Sequence, residues 1–233
     1  MSRRAGWLAR HWLTVASPVA LLIGWEVASA VGLLREAFFP RPSTVLVHLR
    51  RLVADGTLLG HTLPTLSRIG GAFALAAILG VATGLAMGVW RRLREGLDPV
   101  FAVVYPIPSV LFLPLVSFVV PKGEIAPVLT IAVTSFFLVA ITTTHGVRQI
   151  DPLVVEAALH YGARGRRLFA GVLFPGALPH IFTGLRLGLG YALIVAVAVE
   201  IVAASRGLGA LLSYGLAAMR ARLLPWVQDV GAR

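Results

Sequence analysis

Long apolar runs alternate along this chain with short segments that carry arginine. About 20 consecutive apolar residues are needed to cross a hydrocarbon core. Trp12 to Leu34 offers one such run, broken only by Glu26. Ile69 to Trp90, Pro99 to Pro121 and Ile125 to Val147 carry no acidic or basic residue apart from His145. Leu187 to Ser205 contains only Glu200. The pattern predicts five membrane-spanning helices. Gly207 to Met219 is also apolar, but its 13 residues suit a re-entrant or interfacial helix better than a full crossing. From Val45 to Leu59 apolar residues recur at roughly helical spacing, which predicts an amphipathic helix lying on a surface.

Composition sharpens the class. The chain is 58% hydrophobic and 13% charged. A soluble domain carries about 25% charged residues, and 233 residues cannot enclose this much apolar surface in water. The fold class expected is all-α and polytopic, with lipid as the solvent. The net charge of +11 comes from short arginine clusters between apolar runs, as for loops held at anionic headgroups. No basic helix or aromatic-basic platform suggests nucleic acid. With no cysteine, disulfides, thiolate metal sites and cysteine nucleophiles are excluded. The six histidines are scattered without metal-ligand spacing, and no Gly-rich P-loop with Lys and Ser/Thr is present. Neither a metal nor a cofactor is expected, and the chain is not expected to hydrolyse ATP.

Charge placement predicts orientation. Arg3, Arg4 and Arg10, then Arg91, Arg92 and Arg94, then Arg148, Arg164, Arg166 and Arg167 would be cytoplasmic with the N-terminus inside. The other loops hold fewer basic residues, although the 35–68 loop is itself basic. Arg3, Arg4 and Arg10 followed by Ala28-Ser29-Ala30 also has the outline of a cleavable signal. The long apolar run and Glu26 favour a retained helix. The expected organisation is a cytoplasmic N-terminus (1–11), a first transmembrane helix (12–34), an external loop with the amphipathic helix (35–68), a transmembrane core (69–205) holding a cytoplasmic loop (148–180), and a short apolar segment with a polar tail (206–233).

That cytoplasmic loop is the most informative stretch. Asp151-Pro152 supplies an N-cap acceptor and a proline at the first helical position. Glu156 follows in the early turns, where the macrodipole favours a carboxylate. Ala157 and Ala158 are small enough for another surface to approach closely. Gly162 suits a left-handed C-cap. A second helix is expected from about Ala163 to Leu173, ended by Pro175, with Arg164, Arg166 and Arg167 lining its start.

The order Glu156-Ala157-Ala158, Gly162, then Val172-Leu173-Phe174-Pro175 resembles the EAA loop of permease subunits of bacterial ABC importers. Phe174 departs from the leucine usual there. Further matches, individually weak but in order, resemble the nitrate/sulfonate/taurine type. They are Phe39-Pro40-Arg41-Pro42-Ser43, Arg68 with Gly71-Ala72-Phe73, Pro106-Ile107-Pro108 with Pro114, Gly146-Val147-Arg148, Gly184-Leu185-Arg186 and Glu200. The resemblance implies a type I importer permease fold and a bacterial inner-membrane location. It implies two ATPase subunits, an extracytoplasmic solute-binding protein and a permease homodimer as partners. It also implies ATPase coupling through Glu156, Ala157, Ala158, Gly162, Arg164 and Pro175. Sulfonate, nitrate or a similar anion is the solute it suggests. Members usually carry one more apolar helix at the C-terminus than this chain shows, so a truncated, inactive remnant is one alternative and a secondary transporter another.

Several residues inside the apolar runs are candidates for the pathway. Pro106, Pro108 and Pro114 break the helix ladder, and freed carbonyls at membrane depth need protein or water beside them. Glu200 is a carboxylate in a span, which normally faces a cavity or a partner; lining the exit side of the pathway and pairing with Arg206 are its two candidate roles. Ser135 and Thr142 can contact a polar solute, or bond their own helix. Gly80, Gly84 and Gly88 form a small-residue stripe for close helix packing.

Overall fold

The computed structural model of the protein describes residues 3–34, 38–120, 123–203 and 206–223. Arg35, Pro121, Lys122, Ser205 and the tail beyond residue 223 lie outside the described residues. Every regular element among the described residues is helical. The chain separates into two compact units, one of residues 1–60 with 214–233 and the other of residues 61–213.

In the first unit, α1 (Arg3–Ala30) covers most of the first expected span, and Val31 to Leu34 turn away from it. Its apolar stretch, Ala16–Ala30, is shorter than the spanning helices of the second unit. The expected amphipathic helix is α2 (Pro42–Ala54), which starts with proline in its first turn. Glu26 of α1 caps it, its carboxylate accepting from the Ser43 backbone N–H at 3.0 Å and the Ser43 hydroxyl at 2.8 Å. A negative group placed at free N–H groups of a helix start is favourable. Glu26 is therefore a structural group.

The remaining elements are α3 (Thr57–Val89), α4 (Arg91–Val104), a 3₁₀ turn (Ser109–Leu111), α5 (Phe112–Val119), α6 (Ile125–Arg148), α7 (Pro152–His160), the single turn α8 (Arg166–Leu168), a π turn (Phe169–Leu173), α9 (Phe174–Ala203) and α10 (Leu208–Leu223). Among the described residues, three stretches are long and apolar enough to cross a membrane: Thr57–Val89, Ile125–Arg148 and Arg166–Ala203.

Three expectations change. Pro99 to Pro121 is not one straight helix: α4 and the 109–119 stretch meet at 93°, and count as a fourth span only if the bent pair is taken as one. Pro106 and Pro108 have no N–H to continue the ladder, and each biases the residue before it away from the helical region. The fifth span begins far earlier than Leu187, because the helix runs unbroken from Arg166. The 207–219 segment is a helix that continues to Leu223.

The second unit is organised around α6, most of whose core positions are buried. On one side the expected stripe of α3 packs against it. A methyl on Gly80 would stand 2.9 Å from the Val139 side chain, and one on Gly84 would stand 2.6 Å from the Ala140 carbonyl oxygen. Gly88 meets Val147 in the same way, so α3 and α6 run side by side in the same direction. On the other side α9 runs antiparallel, with Gly188 against Val139, Gly184 against Thr142 and Gly146 against His180. The bilayer offers no hydrophobic drive for helices to associate, so close contact of backbones carries the packing. α4 is held by Phe101, whose ring stands edge-on to Phe137 at 4.9 Å. Its exposed face keeps Arg91, Arg92 and Glu95.

Gly84→Ala is expected to destabilise the protein by about 1–3 kcal/mol, because a backbone carbonyl cannot move aside. Gly190→Ala, with open space around it, is expected to be neutral or stabilising by up to about 1 kcal/mol. Thermal unfolding of the two detergent-solubilised variants checks this. Equal melting temperatures would count against the tight α3–α6 contact.

Candidate functional site

Two polar constructions lie at opposite ends of the second unit. The first is the loop from Asp151 to Leu168. The Asp151 side chain accepts from Leu153 N–H at 2.9 Å, the N-cap that its sequence predicts. At the other end of α7, Gly162 has φ +83°. Its N–H donates to the Leu159 carbonyl, and the Ala163 N–H reaches back to Ala158 at 2.9 Å. This pair of bonds is a Schellman closure, and it places a left-handed residue where glycine has no steric penalty. Nothing lies within 4 Å of the position a Gly162 Cβ would take, so the demand there is conformational.

The second helix of the loop does not begin at Ala163. Gly165 adopts φ +52°, ψ −121°, outside the regions open to residues with a side chain. Helix resumes only at Arg166. Pro175 does not end that helix either. Its ring would collide with the carbonyl of Gly171 in a regular α-helix. The chain instead widens into the π turn, where the Phe174 N–H bonds the Phe169 carbonyl five residues back. The helix then continues through Pro175 to Ala203. A π turn of this kind is a frequent feature of functional segments.

Of the expected coupling residues, Glu156, Ala157, Gly162 and Arg164 are exposed and Ala158 is half-buried. No ion pair involving Glu156 is present among the described residues. Sequence reasoning overlooked the apolar side chains beside them. Tyr161 is 93% exposed, Leu153 71% and Val154 51%, although they lie outside the spanning stretches. The readable signal was an aromatic residue next to the capping glycine of a polar loop. Apolar groups gathered on an exposed helix are a common feature of surfaces that contact another protein or a membrane.

The second construction is centred on Arg68 and Glu200. Glu200 is completely buried, and of the two roles open to it from the sequence, pairing with Arg206 is replaced by a pair with Arg68. Arg68 Nη1 donates to it at 2.7 Å, Thr65 Oγ1 at 2.8 Å and the Gly209 N–H at 3.0 Å. Only the backbone carbonyl of Arg206 takes part, accepting from Arg68. Arg68 also grips Glu124, just before α6, with Nη2 to Oε1 at 2.7 Å and a second bond from Nε to Oε2. Thr65 Oγ1 accepts from Leu208 N–H at 2.9 Å. Gly207 and Gly209 are obligatory, since a side chain at either would strike Glu200 or the α9 backbone. One guanidinium thus joins α3, the start of α6, the end of α9 and the turn into α10. Glu124 is 66% exposed, and the Arg68 bonds hold its carboxyl below the ordinary carboxylate range. A lowered carboxyl pKa means that this link is complete at neutral pH and fades only as acid titrates the folded-state group.

The other pathway candidates are not brought together. The Ser135 hydroxyl is buried and has no hydrogen-bond partner among the described residues, on the face of α6 that meets α9. Thr142 donates to Leu138 and Val139 of its own helix. Pro106, Pro108 and Pro114 are exposed.

The family described as "Binding-protein-dependent transport system inner membrane component" matches residues 76–224, a stretch that includes the whole loop. The chain belongs to that family. The permease is 33% identical to the taurine transport system permease protein TauC of Escherichia coli K12, over 98% of this chain and 96% of that one. It is 30% identical to the putative aliphatic sulfonates transport permease protein SsuC of Bacillus subtilis 168, over 89% and 74%. It is also 30% identical to the bicarbonate transport system permease protein CmpB of a Synechocystis strain, over 79% and 69%. A crystal structure of an amino acid ABC transporter with histidines shares the fold, with a TM-score of 0.60 at 18% identity, covering 74% of this chain and 82% of that one. The protein is a multi-pass membrane subunit of an ABC importer of the nitrate/sulfonate/taurine type. These matches favour the importer over a secondary transporter or an inactive remnant.

Removing one member of a buried ion pair leaves the other uncompensated, at a cost of roughly 3–5 kcal/mol. Arg68→Met and Glu200→Met are each expected to lose that much stability, and the double variant less than the sum of the two. Melting temperatures of the three purified variants check this. Additive losses would contradict direct pairing.

Proposed function

We propose that this permease works with its N-terminus and its 151–168 loop in the cytoplasm, and that two copies form the translocation pathway. Two ATPase subunits dock beneath them and a solute-binding protein docks outside. ATP hydrolysis belongs to the ATPase chains, and the permease contributes no catalytic group. The names of its relatives (taurine, aliphatic sulfonates, bicarbonate) point to a small anion as solute.

The observation that carries this reading is the uncovered apolar surface of α7 and Tyr161, set beside Glu156, Ala157 and the exposed arginines. The small side chains Ala157 and Ala158 let a groove on the ATPase come close, and Tyr161 and Leu153 fill it. The arginines face acidic groups or headgroups. When the ATPase dimer closes on ATP, α7 moves with it. The closed turn at Gly162 keeps α7 intact, and the widened turn at 169–173 lets α9 change direction without breaking. Glu200 lies in the last turn of α9, and Arg68 ties that end to α3 and α6. Motion at the loop therefore reaches the far end as displacement of a joined set of helices.

Gly162 separates shape from contact, since no neighbour crowds it. A β-branched residue is strained at positive φ, by roughly 1–3 kcal/mol, whereas asparagine tolerates it. Gly162→Val is expected to lower co-purification with the ATPase subunit and ATP-driven uptake severalfold, and Gly162→Asn to retain most of both. Full complex yield and uptake with Gly162→Val would remove the loop from the coupling role.

A further inference from the structure

Ser109 and Tyr191 form a hydroxyl pair at 2.6 Å, and both side chains remain accessible. Tyr191 lies on α9 nine residues before Glu200 and sixteen after Pro175. At the helical rise this places it about 14 Å from one and about 24 Å from the other. It therefore sits deep within a span. Ser109 is at the same depth, because it bonds to Tyr191. It closes the break between α4 and α5, where Tyr105 to Pro108 leave the helix.

Lipid accepts neither feature. Non-helical backbone at membrane depth persists only where protein buries it or water reaches it. Polar side chains within spans face the interior of the assembly or a water-filled cavity. Yet within this chain Tyr105, Pro106, Pro108 and Tyr191 are exposed. The recess among Tyr105, Ile107, Ser109 and Tyr191 has a volume of about 10 Å³, the size of one water. A solute does not fit in it, so one subunit supplies a single wall. The adjacent Thr134 hydroxyl is committed to the Thr130 and Ile131 carbonyls of its own helix.

We infer that Ser109 and Tyr191 are a solute-contacting pair on the pathway wall. The inference rests on the permease reading above. Two hydroxyls carry two protons. One lies in the bond between them, and the other is free to donate to an acceptor oxygen of a passing solute. The pair is neutral, so its hold on an oxyanion is weak enough to release it, as conduction requires.

The chain contains no cysteine, so single cysteines can be placed without background. Leu193 lies at the same depth on the opposite side of α9, and is also exposed. In the assembled transporter in proteoliposomes, Ser109→Cys, Tyr191→Cys and Leu193→Cys are treated with a membrane-impermeant methanethiosulfonate reagent. Thiolate forms only where water reaches, so the first two are expected to react about tenfold or more faster than Leu193→Cys. Tyr191→Phe, which keeps the ring, is expected to raise the KM for uptake roughly three- to tenfold without lowering complex yield. Labelling at 109 and 191 no faster than at 193, or an unchanged KM in Tyr191→Phe, overturns the assignment. Uptake by the unsubstituted chain is measured alongside. If it transports while both positions stay silent, the pathway assignment fails alone; if it does not transport, the permease reading fails with it.

Discussion

The second unit depends on a buried charge pair, Arg68 with Glu200. Glu200 has no exposed surface, and an unpaired charge buried there would carry a large desolvation cost. Arg68 offsets that cost by standing 2.7 Å away, and Thr65 and Gly209 supply the remaining donors. The geometry then dictates its neighbours. The turn between α9 and α10 must carry glycine at 207 and 209, because the carboxylate occupies the space of any side chain. The second carboxylate, Glu124, uses the other edge of the same guanidinium and fixes where α6 begins. A fully satisfied network of this kind defines one arrangement of helices more sharply than apolar packing alone.

Between this clasp and the 151–168 loop, the helices are held by the absence of side chains. Gly80 and Gly84 let α3 lie against α6, and Gly184 and Gly188 do the same for α9. Such interfaces slide little, because a carbonyl or a β-branched side chain fills every gap. Regular helix is interrupted instead at two places, the π turn before Pro175 and the break at Tyr105 to Pro108. Proline causes both, in one case by widening a helix and in the other by turning it. A rigid block with two proline-made joints is a shape suited to alternating between two states.

Much of this was legible in the sequence wherever the cause is local. Asp151-Pro152 and Gly162 specify the ends of α7 through bonds within a few residues, and α7 has those ends. The Gly80-Gly84-Gly88 stripe announces close packing without naming its partner. What escaped was long-range or cumulative. Arg68 lies 132 residues from Glu200, and proximity in sequence favoured Arg206 instead. Counting apolar residues from Pro99 to Pro121 does not register a right-angled bend. Pro175 reads as a stop signal, because a proline can be absorbed by a π turn only where the preceding residues leave room. Gly165 was passed over beside Gly162, although its backbone is the one that delays the second helix. Ser109 and Tyr191 show no signal at all until the α4–α5 break brings them together.

The central claim is that motion for transport is supplied to this chain by ATP through another polypeptide. Solute uptake into proteoliposomes decides it directly, with the permease reconstituted alone or together with its ATPase, and the binding protein and solute on the opposite side from ATP. The account predicts uptake only when permease, ATPase, binding protein and ATP are all present. Uptake by the permease alone, driven by an ion gradient and indifferent to ATP, would contradict it.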